Sequence, residues 1–228
     1  MTAAEGSGSA SGPVATGRLL AVCAVYALIP DVDRPDAVTA IDKRALSGRV
    51  AVHRLGVEGD DQIDKPDHGG PDQALYAYAR EDASWWETEV GRELAPGAFG
   101  ENLVTEGIDV TGAVIGERWA VGTAVLQVAY TRTPCRTFSG YWGMPDLIRR
   151  FTERGAPGAY LRVLREGHVA AGDVITVLDR PAHGVTNGEV FRARMGERAL
   201  VPRMLAADEL PEREKEWARK VLRVPADT

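Results

Sequence analysis

The fold is decided by a run of apolar residues near the start of the chain, Leu19-Leu-Ala-Val-Cys-Ala-Val-Tyr-Ala-Leu-Ile29. No helix-capping residue precedes this run and Pro30-Asp31 ends it, so it predicts a buried β-strand. The residues before it are small and flexible and offer almost nothing to bury. We therefore expect a disordered arm over residues 1–17 and an ordered chain from Arg18 onward.

Short apolar segments between glycine-marked turns continue as far as residue 180 and predict further strands. They are residues 50–56, 74–79, 102–104, 114–121 and 124–130, followed by 159–165 and 172–178, which we expect to form a hairpin-like pair. Apolar residues recur with helical spacing over residues 80–93 and 146–154. The sequence therefore predicts one α+β domain over residues 18–180, rich in β-structure and carrying a few peripheral helices.

The end of the chain has a different pattern. Residues 181–188 have the composition of a linker, and helical patterns follow at 188–195, 200–207 and 211–224. In the last of these, Trp217, Val221 and Leu222 form an apolar stripe. We expect a three-helix extension over residues 187–224, which could dock a redox partner, pair two protomers or cover the body.

Composition excludes several classes of function. A net charge of -6 and an isoelectric point near 5.3 argue against binding a nucleic acid polymer. The apolar run from Leu19 to Pro30 is too short to cross a bilayer, and the first residues lack a basic signal region, so we expect a cytoplasmic protein without membrane contact. Nucleotide-binding glycine loops and the serine-hydrolase elbow are missing from the sequence.

The two cysteines lie in segments of different character. Cys135 stands between Pro134 and Arg136, with Arg132 three residues upstream, and nearby guanidinium groups favour the thiolate that binds soft metals or attacks electrophiles. An inert, half-buried thiol is the alternative. Cys23 belongs to the apolar strand and is expected in the core, so a disulfide framework is not predicted.

Three further segments hold polar residues at turns. His68 precedes Gly69-Gly70, where its ring or the adjacent backbone N–H groups could meet a ligand. Glu101 and Asn102 end a glycine turn that begins at Gly97, and they could bind a ligand or only cap the turn. Lys43 and Arg44 are by themselves more typical of a solvated surface. A structural zinc site is not favoured, because paired histidine ligands and further cysteines are missing.

Taken in order, these motifs resemble the MOSC domain, named after the C-terminal domain of molybdenum cofactor sulfurase. The resemblance covers about residues 19–178. It rests on Lys43-Arg44, Gly56–Asp60, Lys65–Asp72, Pro96–Leu103, Ile115-Gly116, Pro134-Cys135, Tyr160–Val163 and Gly172-Asp173. It is strongest with the bacterial YiiM-like branch, whose members carry a three-helix extension.

The resemblance implies a barrel-like body that binds a molybdopterin-type cofactor, with Cys135 as the protein ligand to molybdenum. It implies reduction of a small N-hydroxylated substrate by electrons from a separate redox protein. His68 and Asn102 would then assist catalysis. The pterin and its phosphate would be held by residues among Lys43, Arg44, Lys65, His68, Gly69, Gly70, Glu101, Asn102, Arg132, Thr133 and Arg136.

Two other functions remain open on the same residues. Cys135 could carry a persulfide as a sulfur or cofactor carrier. Alternatively, a metal-free enzyme could use Cys135 as nucleophile and His68 as base. The sequence is compatible with a monomer or a homodimer and does not name the natural substrate.

Overall fold

The computed structural model describes residues 15–34, 36–60 and 69–223. The strands are β1 Thr16–Pro30, β2 Val38–Ala45, β3 Val50–His53, β4 Gly56–Val57, β5 Leu75–Ala79, β6 Leu103–Glu106, β7 Arg118–Val121, β8 Ala124–Thr131, β9 Ala159–Arg165, β10 Gly167–Val169 and β11 Val174–Asp179. The helices are α1 Arg80–Val90, α2 Arg136–Tyr141, α3 Leu147–Arg154, α4 Asn187–Arg194, α5 Val201–Met204 and α6 Glu212–Arg223, with 3₁₀ turns at Pro71–Gln73 and Arg198–Leu200. This is the α+β class that the sequence predicts.

The strands form a closed barrel. Hydrogen bonds connect them in the order β11, β7, β8, β9, β5, β6 and β1, and β1 pairs again with β11 to close the ring. The β5–β6 pair is parallel, whereas β1 lies antiparallel to both of its barrel neighbours. A closed ring leaves no barrel strand with an unpaired edge. The barrel-like body implied by the family resemblance is thus confirmed.

The first strand explains why the barrel closes where it does. Leu19, Val22 and Cys23 are at most 2% exposed and belong to the barrel, whereas Tyr26 is 64% exposed. The prediction of a strand buried throughout was therefore wrong for its second half, which leaves the barrel and pairs with β2. The predicted disordered arm was also too long, because Thr16 and Gly17 pair with β11.

The C-terminal helices pack directly on the barrel. Val190, Met204 and Ala218 belong to the same hydrophobic cluster as the barrel residues Leu126 and Leu161. The linker before α4 runs beside the barrel, where the Ile115 N–H donates to the Val185 carbonyl at 2.9 Å. The extension therefore shares the core of the body. Across residues 15–34, 36–60 and 69–223, no helix has both the length and the apolar character needed to span a bilayer.

Several local predictions were wrong, mainly because strands pair with partners far away in the sequence. Strand β9 pairs with β5 and β8, and β11 pairs with β7 and β1, so these two segments do not form a hairpin. The predicted strand at 114–121 begins only at Arg118. Strand β2 and helix α2 were not predicted, and Leu222 is 46% exposed rather than part of the buried stripe.

Candidate functional site

Cys135 lies where the barrel strand β8 gives way to α2. Its side chain is part-buried and packs against the aromatic cluster around Phe138. The Cys135 carbonyl accepts a hydrogen bond from the Ser139 N–H at 3.0 Å, which fixes the main chain as the first turn of the helix. The thiol is therefore held at a defined position, and neither cysteine forms a disulfide.

Arg132 supplies a buried positive charge beside this thiol. The side chain is 7% exposed and donates a hydrogen bond to the Phe99 carbonyl. Burial lowers the pKa of Arg132, but the nearby tyrosines and the Cys135 thiolate outweigh that effect and raise the pKa above its ordinary value. Arg132 therefore places a buried positive charge within electrostatic range of Cys135.

A cavity of about 380 Å³ lies between the barrel and the C-terminal helices. On the barrel side it is lined by Gln73, Tyr130, Thr133 and Tyr160. Thr133 is two residues from Cys135, and the charge of the Cys135 thiolate adds to burial in raising the pKa of Tyr160. Cavities that hold small ligands typically measure about 300–1,000 Å³. The cavity lined by Thr133 is therefore large enough for an organic ligand, and Cys135 follows Thr133 by two residues.

The helical side of the cavity is positively charged. Arg194 and Arg213 line it, and each guanidinium is held over an aromatic ring. Arg194 lies 4.3 Å from the ring centre of Trp217, and Arg213 lies 4.8 Å from that of Tyr130. Guanidinium groups bind phosphate through several parallel N–H donors. This wall is therefore suited to an anionic group on a ligand.

A tight turn beside Cys135 is held by a buried carboxylate. Glu101 is 3% exposed and accepts hydrogen bonds from the N–H groups of Gly97 at 2.7 Å and Phe99 at 2.8 Å. Burial raises the pKa of Glu101 to about 7, although these backbone donors oppose the shift. Gly97 has φ +93°, and a Cβ there would lie 2.1 Å from the Lys43 carbonyl oxygen, so the turn packs against β2 as only glycine permits.

Behind this turn lies a buried ion pair. Lys43 Nζ donates to Asp60 Oδ2 at 2.5 Å, and the two side chains are 8% and 2% exposed. Asn102 Nδ2 donates to the same oxygen at 2.8 Å, and the Val25 N–H donates to Asp60 Oδ1 at 3.0 Å. The carboxylate therefore has a donor on each oxygen and a counter-charge, which buried charges require.

Comparison with known proteins agrees with this architecture. The MOSC domain model matches residues 64–176. The chain is 36% identical to the protein YflK of Bacillus subtilis over 148 residues, which is 65% of this chain and 67% of that protein. The chain belongs to the MOSC family. MOSC domains in general are associated with binding of the molybdenum cofactor.

Two further curated relatives extend the comparison. YiiM of Escherichia coli is 34% identical over 146 residues, covering 62% of this chain and 65% of that protein. A protein of Gibberella moniliformis named reductase is 32% identical over 150 residues, covering 64% of this chain and 27% of that protein. The MOSC chain thus matches about two thirds of its bacterial relatives and about a quarter of the fungal one.

A solved structure matches over nearly the whole MOSC chain. The crystal structure of YiiM from Geobacillus stearothermophilus superposes with a TM-score of 0.75 at 26% identity, over 90% of this chain and 99% of that one. The match includes far more of the chain than the domain model does. The YiiM-like assignment made from the motifs is confirmed.

The predicted site residues of this MOSC protein fall into separate groups. Of the predicted residues near the thiol, Thr133 lines the cavity, and Arg132 and Cys135 lie one and two residues from it along the chain. Gly69 and Gly70 precede Gln73, whose Oε1 accepts from the Gly69 N–H at 2.6 Å, so their turn adjoins the cavity wall.

Five other predicted residues that the structure describes do not line the cavity. Arg44 and Arg136 point outward, with side chains 57% and 80% exposed and paired with Asp42 and Asp33. Lys43 lies on β2, and Glu101 and Asn102 lie directly before β6. We call this group, together with Asp60, the barrel wall.

The prediction that Asn102 acts in catalysis is corrected by its bonding. Besides Asp60, its amide nitrogen donates to the Cys23 carbonyl at 3.1 Å, and its oxygen accepts from the Tyr76 N–H at 3.1 Å. The residue is 1% exposed, so it joins β1 and β5 instead of facing a ligand. Lys43 is likewise occupied by Asp60. Lys65 and His68 lie outside the described residues, so their roles stay predictions.

Sequence reasoning missed the helical half of the cavity. Arg194, Arg213 and Glu214 are charged residues on helices, a pattern that usually marks a solvated face. One signal was present: Glu214 stands at the start of the apolar stripe formed by Trp217 and Val221, where a charge is unexpected.

Proposed function

We propose that this chain is a molybdenum-cofactor-dependent reductase that cleaves the N–O bond of N-hydroxylated compounds. The observation that carries the proposal is the Cys135 thiol, which lies within electrostatic range of the buried Arg132 and two residues after Thr133 in the wall of a basic cavity. A thiolate in an electropositive setting is the form that binds soft transition metals. Membership in the MOSC family and similarity to a protein named reductase give further support.

The described residues fit such a cofactor. Cys135 would bind the metal, and Arg194 and Arg213 would bind the phosphate of the pterin. The tyrosine rings of Tyr130 and Tyr160, whose centres are 5.2 Å apart, would pack against a planar ring system. Arg132 would keep Cys135 ionised.

The proposed reaction consumes two electrons and two protons and converts the N–OH group into an N–H group and water. The bound cofactor would supply the redox centre for the two electrons. We further propose that a separate redox protein delivers these electrons. The chain itself binds and orients the substrate and excludes water from the reacting group through the packed barrel and helices.

Metal analysis of the purified protein tests this function. Protein from a molybdenum-replete host is expected to contain close to one molybdenum per chain, and Cys135→Ala should lose it. Cys23→Ala is the matched control: Cys23 is 0% exposed, and burial raises the pKa of its thiol to about 12. It should keep the metal, because a neutral core thiol is not a ligand.

Activity is then assayed with an added electron donor. Reduction of an amidoxime to the amidine should require both the donor and Cys135. Cyanide-labile sulfur on metal-free protein would favour the persulfide carrier instead. Turnover by protein without molybdenum would contradict the proposal and favour a metal-free enzyme on the same scaffold.

A further inference from the structure

The cavity between the barrel and the C-terminal helices contains a carboxylate whose bonding is incomplete. Glu214 is 7% exposed and lines the cavity, and its Oε2 has no hydrogen-bond donor among the described residues. Arg194 Nε lies 3.6 Å from Oε2, and Arg213 Nε lies 3.7 Å from Oε1. Both separations exceed the about 2.7–3.2 Å of an N–H···O hydrogen bond. Because buried acceptors are normally satisfied, this oxygen calls for a donor.

Packing of the helix does not account for the carboxylate. On α6, Glu214 precedes Trp217, Ala218 and Val221 by three, four and seven residues, which places it on the same face. These three residues pack on the barrel core. An apolar side chain at position 214 would continue that face at no cost in desolvation. The ion pairs with Arg194 and Arg213 balance its charge, but they leave Oε2 without a hydrogen-bond donor, which a ligand in the cavity can supply.

The surroundings of Glu214 restrict what the ligand can be. The two guanidinium groups and the carboxylate together leave a charge of +1 on the helical wall, so a cationic ligand is not favoured. Arg213 covers the ring of Tyr130 at 4.8 Å, so Tyr160 supplies the aromatic surface that faces a planar molecule. A carboxylate oxygen accepts hydrogen bonds and donates none. These features together fit a planar, uncharged molecule with N–H groups on one edge.

We propose that Glu214 is a specificity-determining residue of this cavity, which accepts hydrogen bonds from the N–H groups of an uncharged amidine-type edge. The identity of the ligand rests on the proposed function. An N-hydroxylated amidine substrate carries such an edge, and so does the pterin ring of the cofactor. Glu214 thus places the C-terminal extension in the binding site.

Two probes that differ by one amino group test the contact. Benzamidoxime carries an NH₂ group beside its oxime, and benzaldoxime has hydrogen there. Binding is measured by calorimetry on the full chain without reductant, so that no turnover occurs. Glu214→Gln should lower the affinity for benzamidoxime about tenfold, as expected for the loss of a charged hydrogen bond. The affinity for benzaldoxime should stay unchanged. Glu216→Gln, an exposed change on the same helix, should alter neither affinity.

Pterin content identifies the source of the N–H donor. After oxidative release, the fluorescence of the pterin is compared between native protein and Glu214→Gln. Loss of pterin supports the proposal with the cofactor as donor, and selective loss of benzamidoxime affinity supports it with the substrate as donor. Unchanged pterin content, combined either with unchanged affinities or with equal weakening of both probes, would overturn it. Native protein without molybdenum would refute the proposed reductase, yet the comparison of probes would still decide the role of Glu214.

Discussion

Buried carboxylates are fully hydrogen-bonded in the barrel wall around Asp60, whereas the one in the cavity is not. In the wall, Asp60 accepts from Lys43, Asn102 and Val25, and its neighbour Glu101 accepts from two backbone N–H groups. In the cavity, Glu214 is almost as buried but leaves one oxygen without a donor among the described residues. A buried carboxylate whose acceptors are all satisfied indicates a structural role. An acceptor oxygen that faces a cavity without a donor indicates a binding role.

This difference also separates the predicted site residues. Lys43 and Asn102 carry ligand-binding chemistry, but Asp60 already occupies it. Arg194 and Arg213 carry the same kind of chemistry and face open space. The position of a polar residue relative to its partners, more than its type, therefore decides whether it is available to a ligand.

Removing Asp60 should have the largest effect on stability. Asp60→Ala leaves the buried Lys43 charge and the Asn102 amide without their acceptor, so we expect the free energy of unfolding to fall by about 3–5 kcal/mol. Asp42→Ala removes the partner of the exposed Arg44 and should cost below about 1 kcal/mol. Chemical denaturation measures both. Similar losses of stability in Asp60→Ala and Asp42→Ala would contradict the structural role of the buried pair.

Glu101 should make the stability of the wall depend on pH. Its pKa rises from 4.5 unfolded to about 7 folded. A raised folded pKa of an acid means that the stabilisation is fully present below pH 4.5 and is lost as the pH rises through 7. Between these limits the loss is about 3 kcal/mol. Denaturation of native protein and Glu101→Gln across this range should show the decline only in the native protein. An equal decline in stability in both proteins would show that a group other than Glu101 causes the pH dependence.

Replacing Glu214 should have the smallest effect on stability, and it should not destabilise the protein as the changes at Asp60 do. Glu214→Leu deletes an unsatisfied acceptor and adds apolar contact, so the free energy of unfolding should stay constant or rise by about 1 kcal/mol. The matched control is Glu117→Leu. Glu117 is 0% exposed and accepts from Arg180 at 2.6 Å and from Trp119 at 2.8 Å. Its loss should be strongly destabilising. A large loss of stability in Glu214→Leu would show that Glu214 stabilises the fold.

Local patterns predicted the elements that depend on neighbouring residues. Helix α1 follows from apolar residues at helical spacing, and strand β5 follows from a short apolar run after a turn. Strand β2 was not predicted, because its polar residue Lys43 is accommodated by a buried ion pair with Asp60, which lies beyond β3 and β4 in the chain. The error at β9 and β11 has the same origin, since each strand pairs with partners far away in the sequence.

By itself, the sequence determined that the chain folds as a β-rich α+β domain with a helical end, because hydrophobic period and turn residues are encoded within a few positions. It also predicted Cys135 as the reactive thiol from the charges adjacent to it. Only the tertiary structure decided which polar groups are paired and that Arg194, Arg213 and Glu214 complete the cavity. Those facts depend on contacts between segments separated by many residues, such as Asp60 with Asn102 and Arg213 with Tyr130, and short-range patterns do not specify such contacts.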